Sequence, residues 1–117
     1  MTERAPLSAE DEKLVMLARA ARARTQSLTG AAVRDETGRT YVGADVHLET
    51  LTLSSADLAV AQAVAAGAQG IEAIAIVGTL TDDNWQSVVA PVKEISGQGV
   101  TVILASRTGA VEMLGTT

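Results

Sequence analysis

The sequence predicts a three-layer α/β/α domain built on a mixed β-sheet. Two short apolar runs, residues 71–77 and 100–104, are each preceded by glycine and read as buried central strands. Stretches with apolar residues at helical spacing lie between these runs and ahead of the first. Residues 28–34 and 39–46 flank the polar turn Asp35-Glu36-Thr37-Gly38, the pattern of a β-hairpin. A helix that joins two buried strands calls for a right-handed parallel crossover, and the hairpin adds an antiparallel edge. The sheet is therefore expected to be mixed, with helices on both faces.

The elements follow in order. Residues 1–7 read as a loose terminus. Ser8 is a candidate N-cap, and Asp11 three residues on completes a weaker capping box. Leu14, Leu17, Ala18 and Ala21 then recur at helical spacing, and this first helix should end between Arg24 and Ser27. After the hairpin, residues 47–52 read as a connection. Ser54 or Ser55 caps a second helix that runs to Ala66 and stops at Gly67. Asp82 or Asp83 begins a third helix through Trp85, Val88, Val89, Val92 and Ile95, with Pro91 expected to kink it or delay its start. Gly97 and Gly99 end it, and Gly109 precedes a last short element through Leu114. No repeat, low-complexity tract or linker interrupts the 117 residues, so they are expected to form one domain, 1–117.

Composition limits what the domain does. Trp85 and Tyr41 are the two aromatic residues, so the core must be packed with Ala, Val, Leu and Ile. The net charge of −5 argues against non-specific nucleic-acid binding, which needs a basic face. Arg19, Arg22 and Arg24 are cations near the end of the first helix, where the helix dipole favours them; a phosphate-binding patch is the alternative. The chain has no Cys and one His, which excludes disulfides and thiolate ligation. No apolar run approaches the ~20 residues of a membrane span, and the polar N-terminus is not a signal peptide, so a cytoplasmic location is expected. The seven Arg among nine basic residues fit a GC-rich bacterial genome.

One stretch carries a resemblance. Gly30-Ala31-Ala32-Val33, then Asp35-Glu36-Thr37-Gly38-Arg39-Thr40-Tyr41-Val42-Gly43-Ala44-Asp45-Val46, resembles the GAA(V/L)-x-x-x-x-G-x-x-Y-x-G-x-N-V hairpin of the cytidine deaminase family. Residues 53–65 resemble that family's C-A-E-R-x-A helix, and residues 70–77 the strand after it. The resemblance implies zinc-dependent deamination, in which a His or Cys and two further Cys hold the metal and a Glu shuttles protons to the attacking water. It also shows where this chain departs. Ser55 stands at the first ligand and Asp57 at the proton shuttle. The P-C-x-x-C falls near residues 84–88, with Trp85 and Val88 in place of the thiolates. The ribose-binding N-x-E maps to Asp45-Val46-His47.

These positions define a relic pocket of Asp45, His47, Ser54, Ser55, Asp57 and Trp85, with no catalytic residue, no metal and no cofactor assigned. Each residue has a plainer reading. His47 is a polar loop residue unless a second ligand partner joins it. Asp57 lies in a first helical turn, where the dipole stabilises a carboxylate by ~0.3–1 kcal/mol. Asp45, Glu49 and Asp57 lack the spacing of a calcium or magnesium loop, and Asp82-Asp83-Asn84 reads as turn and cap. Trp85 is either core filler or a stacking surface for a base or a partner.

The expected function is that of a non-catalytic, deaminase-like structural or partner-binding subunit. The alternative is a binder of a nucleoside, nucleotide or similar ligand in the relic pocket. The second alternative is a hydrolase with metal-free chemistry built on Ser55, His47 and Asp57. Residues 58–66 are apolar almost all round, with Gln62 the exception, and one sheet covers only one face of such a helix. A homo-oligomer, dimer or tetramer, is therefore expected, with room for an unidentified protein partner, no membrane and no nucleic acid.

Overall fold

The computed structural model describes residues 7–80 and 85–117. The expected start of the third helix at Asp82 or Asp83, the expected turn and cap at Asp82-Asp83-Asn84, and all but Leu7 of the terminus 1–7 expected to be loose lie outside the described residues. The first helix, α1 (Ala9–Thr25), begins at Ser8, whose hydroxyl accepts from the Asp11 backbone nitrogen at 3.1 Å. It ends at Gln26 in the left-handed region. The hairpin strands are β1 (Thr29–Asp35) and β2 (Thr40–Ala44).

The run 39–46 does not continue as one strand. It breaks at Asp45, whose carboxylate turns inward, and the chain restarts as β3 (Val46–His47). The expected connection 47–52 is part of a small hairpin in which β3 pairs with β4 (Thr52–Leu53). Helix α2 (Ser55–Ala65) follows, capped by Ser54 and closed at Ala66 and Gly67, where φ is +93°. That left-handed conformation costs glycine little, so the stop was readable from its position.

Strand β5 (Ile71–Gly78) is followed by two short helices, α3 (Trp85–Val88) and α4 (Ala90–Ser96). Pro91 sits in the first turn of α4, where its missing N–H costs nothing, so the expected single helix is split at Val89. Strand β6 (Thr101–Ala105) and a final strand, β7 (Val111–Thr116), complete the chain.

The main sheet runs β2-β1-β5-β6-β7. Only β5 and β6 pair in parallel, across the α3–α4 crossover; β1 is antiparallel to both its neighbours, and β7 is antiparallel to β6. Helices cover both faces. On one, Ala56, Ala59, Val60 and Ala63 of α2 and Val89 and Val92 pack against Val33, Ile74, Ile76 and Val102. On the other, Leu14, Val15 and Ala18 of α1 pack against Ala32, Ala73, Ala75, Val77 and Ile103.

Two glycines set how closely the helices approach. A Cβ on Gly30 would strike the backbone of α1 at Ala18 and Arg22, and one on Gly43 would strike the backbone of α2 at Ser55 and Ala59. The hairpin turn is tied down by buried Asp35. Its carboxylate accepts from the Thr37 nitrogen at 2.9 Å, the Thr37 hydroxyl at 2.7 Å, the Arg39 nitrogen at 3.0 Å and the Tyr41 hydroxyl at 3.0 Å. Burial alone would raise the carboxyl's pKa; these hydrogen bonds outweigh it and hold the pKa below the ordinary value. For Tyr41, burial and the bond to Asp35 both push the phenol's pKa up.

Candidate functional site

The start of α2, the end of β2 and the start of β1 converge below a cleft of about 560 Å³. Asp45, His47, Ser54 and Ser55 all line it, with Leu28, Leu80 and Val88 among its apolar walls. Asp57 and Trp85 do not line it. The Asp57 side chain is exposed on the first turn of α2, and its backbone N–H is the donor that the Ser54 hydroxyl accepts at 3.0 Å. Trp85 lies towards β7 and lines a neighbouring cavity, so Val88 alone of the pair expected to fill the zinc position faces the cleft.

The centre of the site is a hydrogen-bonded set that was not visible in the sequence. Asp45 Oδ1 accepts from the Thr29 hydroxyl at 2.8 Å and from the Ser55 backbone nitrogen at 2.9 Å. Asp45 Oδ2 accepts from the Thr29 backbone nitrogen at 2.9 Å. The Thr29 and Ser55 hydroxyls are 2.7 Å apart. A carboxylate only accepts, so Thr29 spends its one hydroxyl proton on Asp45, and the Ser55 hydroxyl must donate to Thr29. Ser55 is 1% exposed, so its proton is held inside the protein. Thr29 is the residue that sequence reasoning missed. A polar β-branched residue at a strand start carries no signal of a partner 16 and 26 positions away.

His47 projects from β3, exposed, beside Thr52 in the small hairpin. Among the described residues, no hydrogen bond joins His47 to Ser55 or Asp57. The donor set does not fit the zinc that the resemblance implies. Tetrahedral zinc needs three protein ligands, usually thiolate or imidazole. Here the chain has no Cys, the first ligand position is a neutral hydroxyl bonded to Thr29, and no three His, Asp or Glu side chains cluster for a metal among the described residues.

The model of one protein family, described as cytidine deaminase-like, matches residues 7–109. The chain belongs to the cytidine deaminase-like family. Solved structures share its fold. The cytidine deaminase from Burkholderia pseudomallei is 22% identical with a TM-score of 0.71, over 95% of this chain and 92% of that one. The cytidine deaminase from Mycobacterium leprae is 18% identical with a TM-score of 0.66, over 93% and 94%. That from Mycobacterium tuberculosis is 21% identical with a TM-score of 0.65, over 81% and 85%. At these identities the likeness concerns the fold. No curated protein sequence gives a significant match. Among the described residues, no helix is long and apolar enough to cross a membrane.

Proposed function

We propose that this chain is a non-catalytic member of its family that acts as a structural or partner-binding subunit, without zinc or another cofactor. The observation that carries this reading is the Asp45–Thr29–Ser55 set. It occupies the first-ligand position with a hydroxyl whose proton is already committed, and it engages the Asp45 carboxylate with three protein donors. A residue so bonded is poorly placed to hold a metal or a ribose. The reading includes self-association through the outer face of α2. Ala61, Val64 and Ala65 are exposed there, Val64 by 52%, while the opposite face is buried on the sheet. A dimer or tetramer in the cytoplasm, working as one domain, is the form proposed.

The test is direct. Purified protein supplied with zinc is assayed for bound metal and for loss of the cytidine absorbance. One zinc per chain, or turnover of cytidine, defeats the proposal; light scattering reads the assembly separately.

A second reading is favoured by the cleft itself. It stays open at about 560 Å³, within the range of small-molecule sites, with hydroxyls at its base and apolar walls. The site would then bind a nucleoside, nucleotide or similar molecule without changing it, and a calorimetric titration with cytidine and uridine decides this. The metal-free hydrolase has the least support, because an activated serine needs a base within hydrogen-bonding reach.

A further inference from the structure

We propose that a second cavity, at the carboxyl ends of β5 and β6, binds a flat heteroaromatic ring bearing an anionic group. In open α/β sheets, ligands collect outside the carboxyl ends of the strands, where the chain leaves the sheet and loops supply polar groups. Here β5 and β6 are the parallel pair, and both end at this cavity: Ile76 and Gly78 from β5, Leu104 from β6, then Ser106 and Arg107 beyond it. Its volume is about 570 Å³, enough for a mononucleotide-sized molecule. It is separate from the cleft at α2, with Thr79 and Leu80 lining both.

The walls explain the ring. Ile76, Leu104 and Met113 make an apolar floor, and Trp85 supplies one side. Trp85 is partly buried: it packs against the core and towards Gly115 of β7, and it also lines a smaller hollow of about 300 Å³ with Val89 and Lys93. The part of the indole that lines the cavity is an aromatic surface for a flat ring.

The rim explains the anion. Arg107 sits at the tip of a turn that is fixed by its own backbone: Ser106 nitrogen to Ala110 oxygen and Gly109 nitrogen to Ser106 oxygen, each 2.8 Å. The Ser106 hydroxyl braces the same turn, bonding the Thr108 hydroxyl at 3.0 Å and the Ala110 nitrogen at 3.2 Å. The guanidinium thus starts from a rigid base, and among the described residues no carboxylate pairs with it; both ion pairs found belong to Arg34. A planar guanidinium in that state suits a phosphate or carboxylate. Glu112 also lines the cavity and has a partner within the protein; its carboxylate is an opposing charge that the Arg107 guanidinium must outweigh for an anion to bind.

The chain carries its own reporter. Trp85 is its one tryptophan and lines this cavity and the smaller hollow beside Lys93 but not the α2 cleft, so indole fluorescence reads these two spaces and Arg107→Gln tells them apart. The 117-residue chain is titrated with CMP, with orotate and with cytidine, with correction for ligand absorbance. CMP carries its anion as a phosphate and orotate as a ring carboxylate, so the two separate the sources of the charge. We expect saturable quenching by CMP or orotate, half-complete at a concentration at least about tenfold below that for cytidine. Arg107→Gln should remove that difference, and His47→Ala should leave it in place. Absence of saturable quenching by either anion, equal titration by anion and cytidine, an unchanged titration in Arg107→Gln, or loss of quenching in His47→Ala would each overturn the proposal. None of these outcomes bears on whether the chain deaminates cytidine, so the two readings fail separately.

Discussion

Asp45 Oδ1 lies 2.9 Å from the backbone nitrogen of Ser55, at the first turn of α2. The start of a helix leaves N–H groups without partners and carries a partial positive charge. Asp45 answers both with an anion from the protein itself, which leaves less of that positive charge for a ligand in the cleft.

Asp45→Ala should therefore unfold more easily than the parent, by about 2–4 kcal/mol, because it strands the Thr29 and Ser55 backbone donors and the Thr29 hydroxyl together. Asp45→Asn should cost less, since one acceptor oxygen remains. Urea denaturation followed by circular dichroism measures both; equal stability of Asp45→Ala and parent would remove Asp45 from the centre of the site.

Ser55→Cys should not create a zinc site. One thiolate with the Asp45 carboxylate beside it falls short of the three ligands required, and no group of three His, Asp or Glu side chains gathers there among the described residues. The thiol is also a weaker donor to Thr29, so a loss of roughly 1 kcal/mol is expected. Zinc measured at one equivalent in the purified variant would contradict this.

Gly43→Ala should be damaging out of proportion to its size. Its Cβ would meet the Ser55 carbonyl oxygen and the Ala59 nitrogen, both backbone atoms that cannot swing aside. A cost of about 1–3 kcal/mol or more is expected from such overpacking. Thermal melting at one protein concentration reads it, and a melt that matches the parent would show that α2 can retreat from the sheet.

Asp35 gives the acid response a definite sign. Its pKa is lowered on folding, so the bonded carboxylate contributes stability above its ordinary value of 3.8, and that contribution is lost as pH falls from there through the folded value. Asp35→Asn should melt several degrees below the parent at pH 7, and the gap should narrow below about pH 4. A gap that is constant with pH would mean the charge is not what matters.

The cap at Ser8, the cap at Ser54 or Ser55, the glycine stop at Gly67 and the kink or delayed start at Pro91 were legible because each acts on residues within four positions of itself. The buried runs of β5 and β6 were legible from composition. The break at Asp45 was not, because its partners Thr29 and Ser55 are brought to it by strand pairing and helix docking rather than by sequence spacing. Asp45, His47, Ser54 and Ser55, grouped by analogy with a known hairpin, line one cleft, whereas Trp85 was grouped with them by an alignment through a helix that splits at Val89. Its position is decided by β7, where Gly115 leaves room for the indole beside Met113. A contact 30 residues on leaves no mark in local pattern.

The glycine contacts also bear on the order in which the chain assembles. Gly30 and Gly43 sit one step apart on the paired strands β1 and β2, opposite Ala44 and Ala31, and each receives a helix from its own side. The four elements involved, α1, β1, β2 and α2, are consecutive, so closing this sandwich requires only short loops. Strand β5, by contrast, reaches β1 across residues 36–70, a segment that holds β2, β3, β4 and α2. Early collapse is cheapest where loop closure is short. Alanine at Gly43 should thus slow refolding as well as hasten unfolding, while changes in β7 should act on the unfolding rate alone.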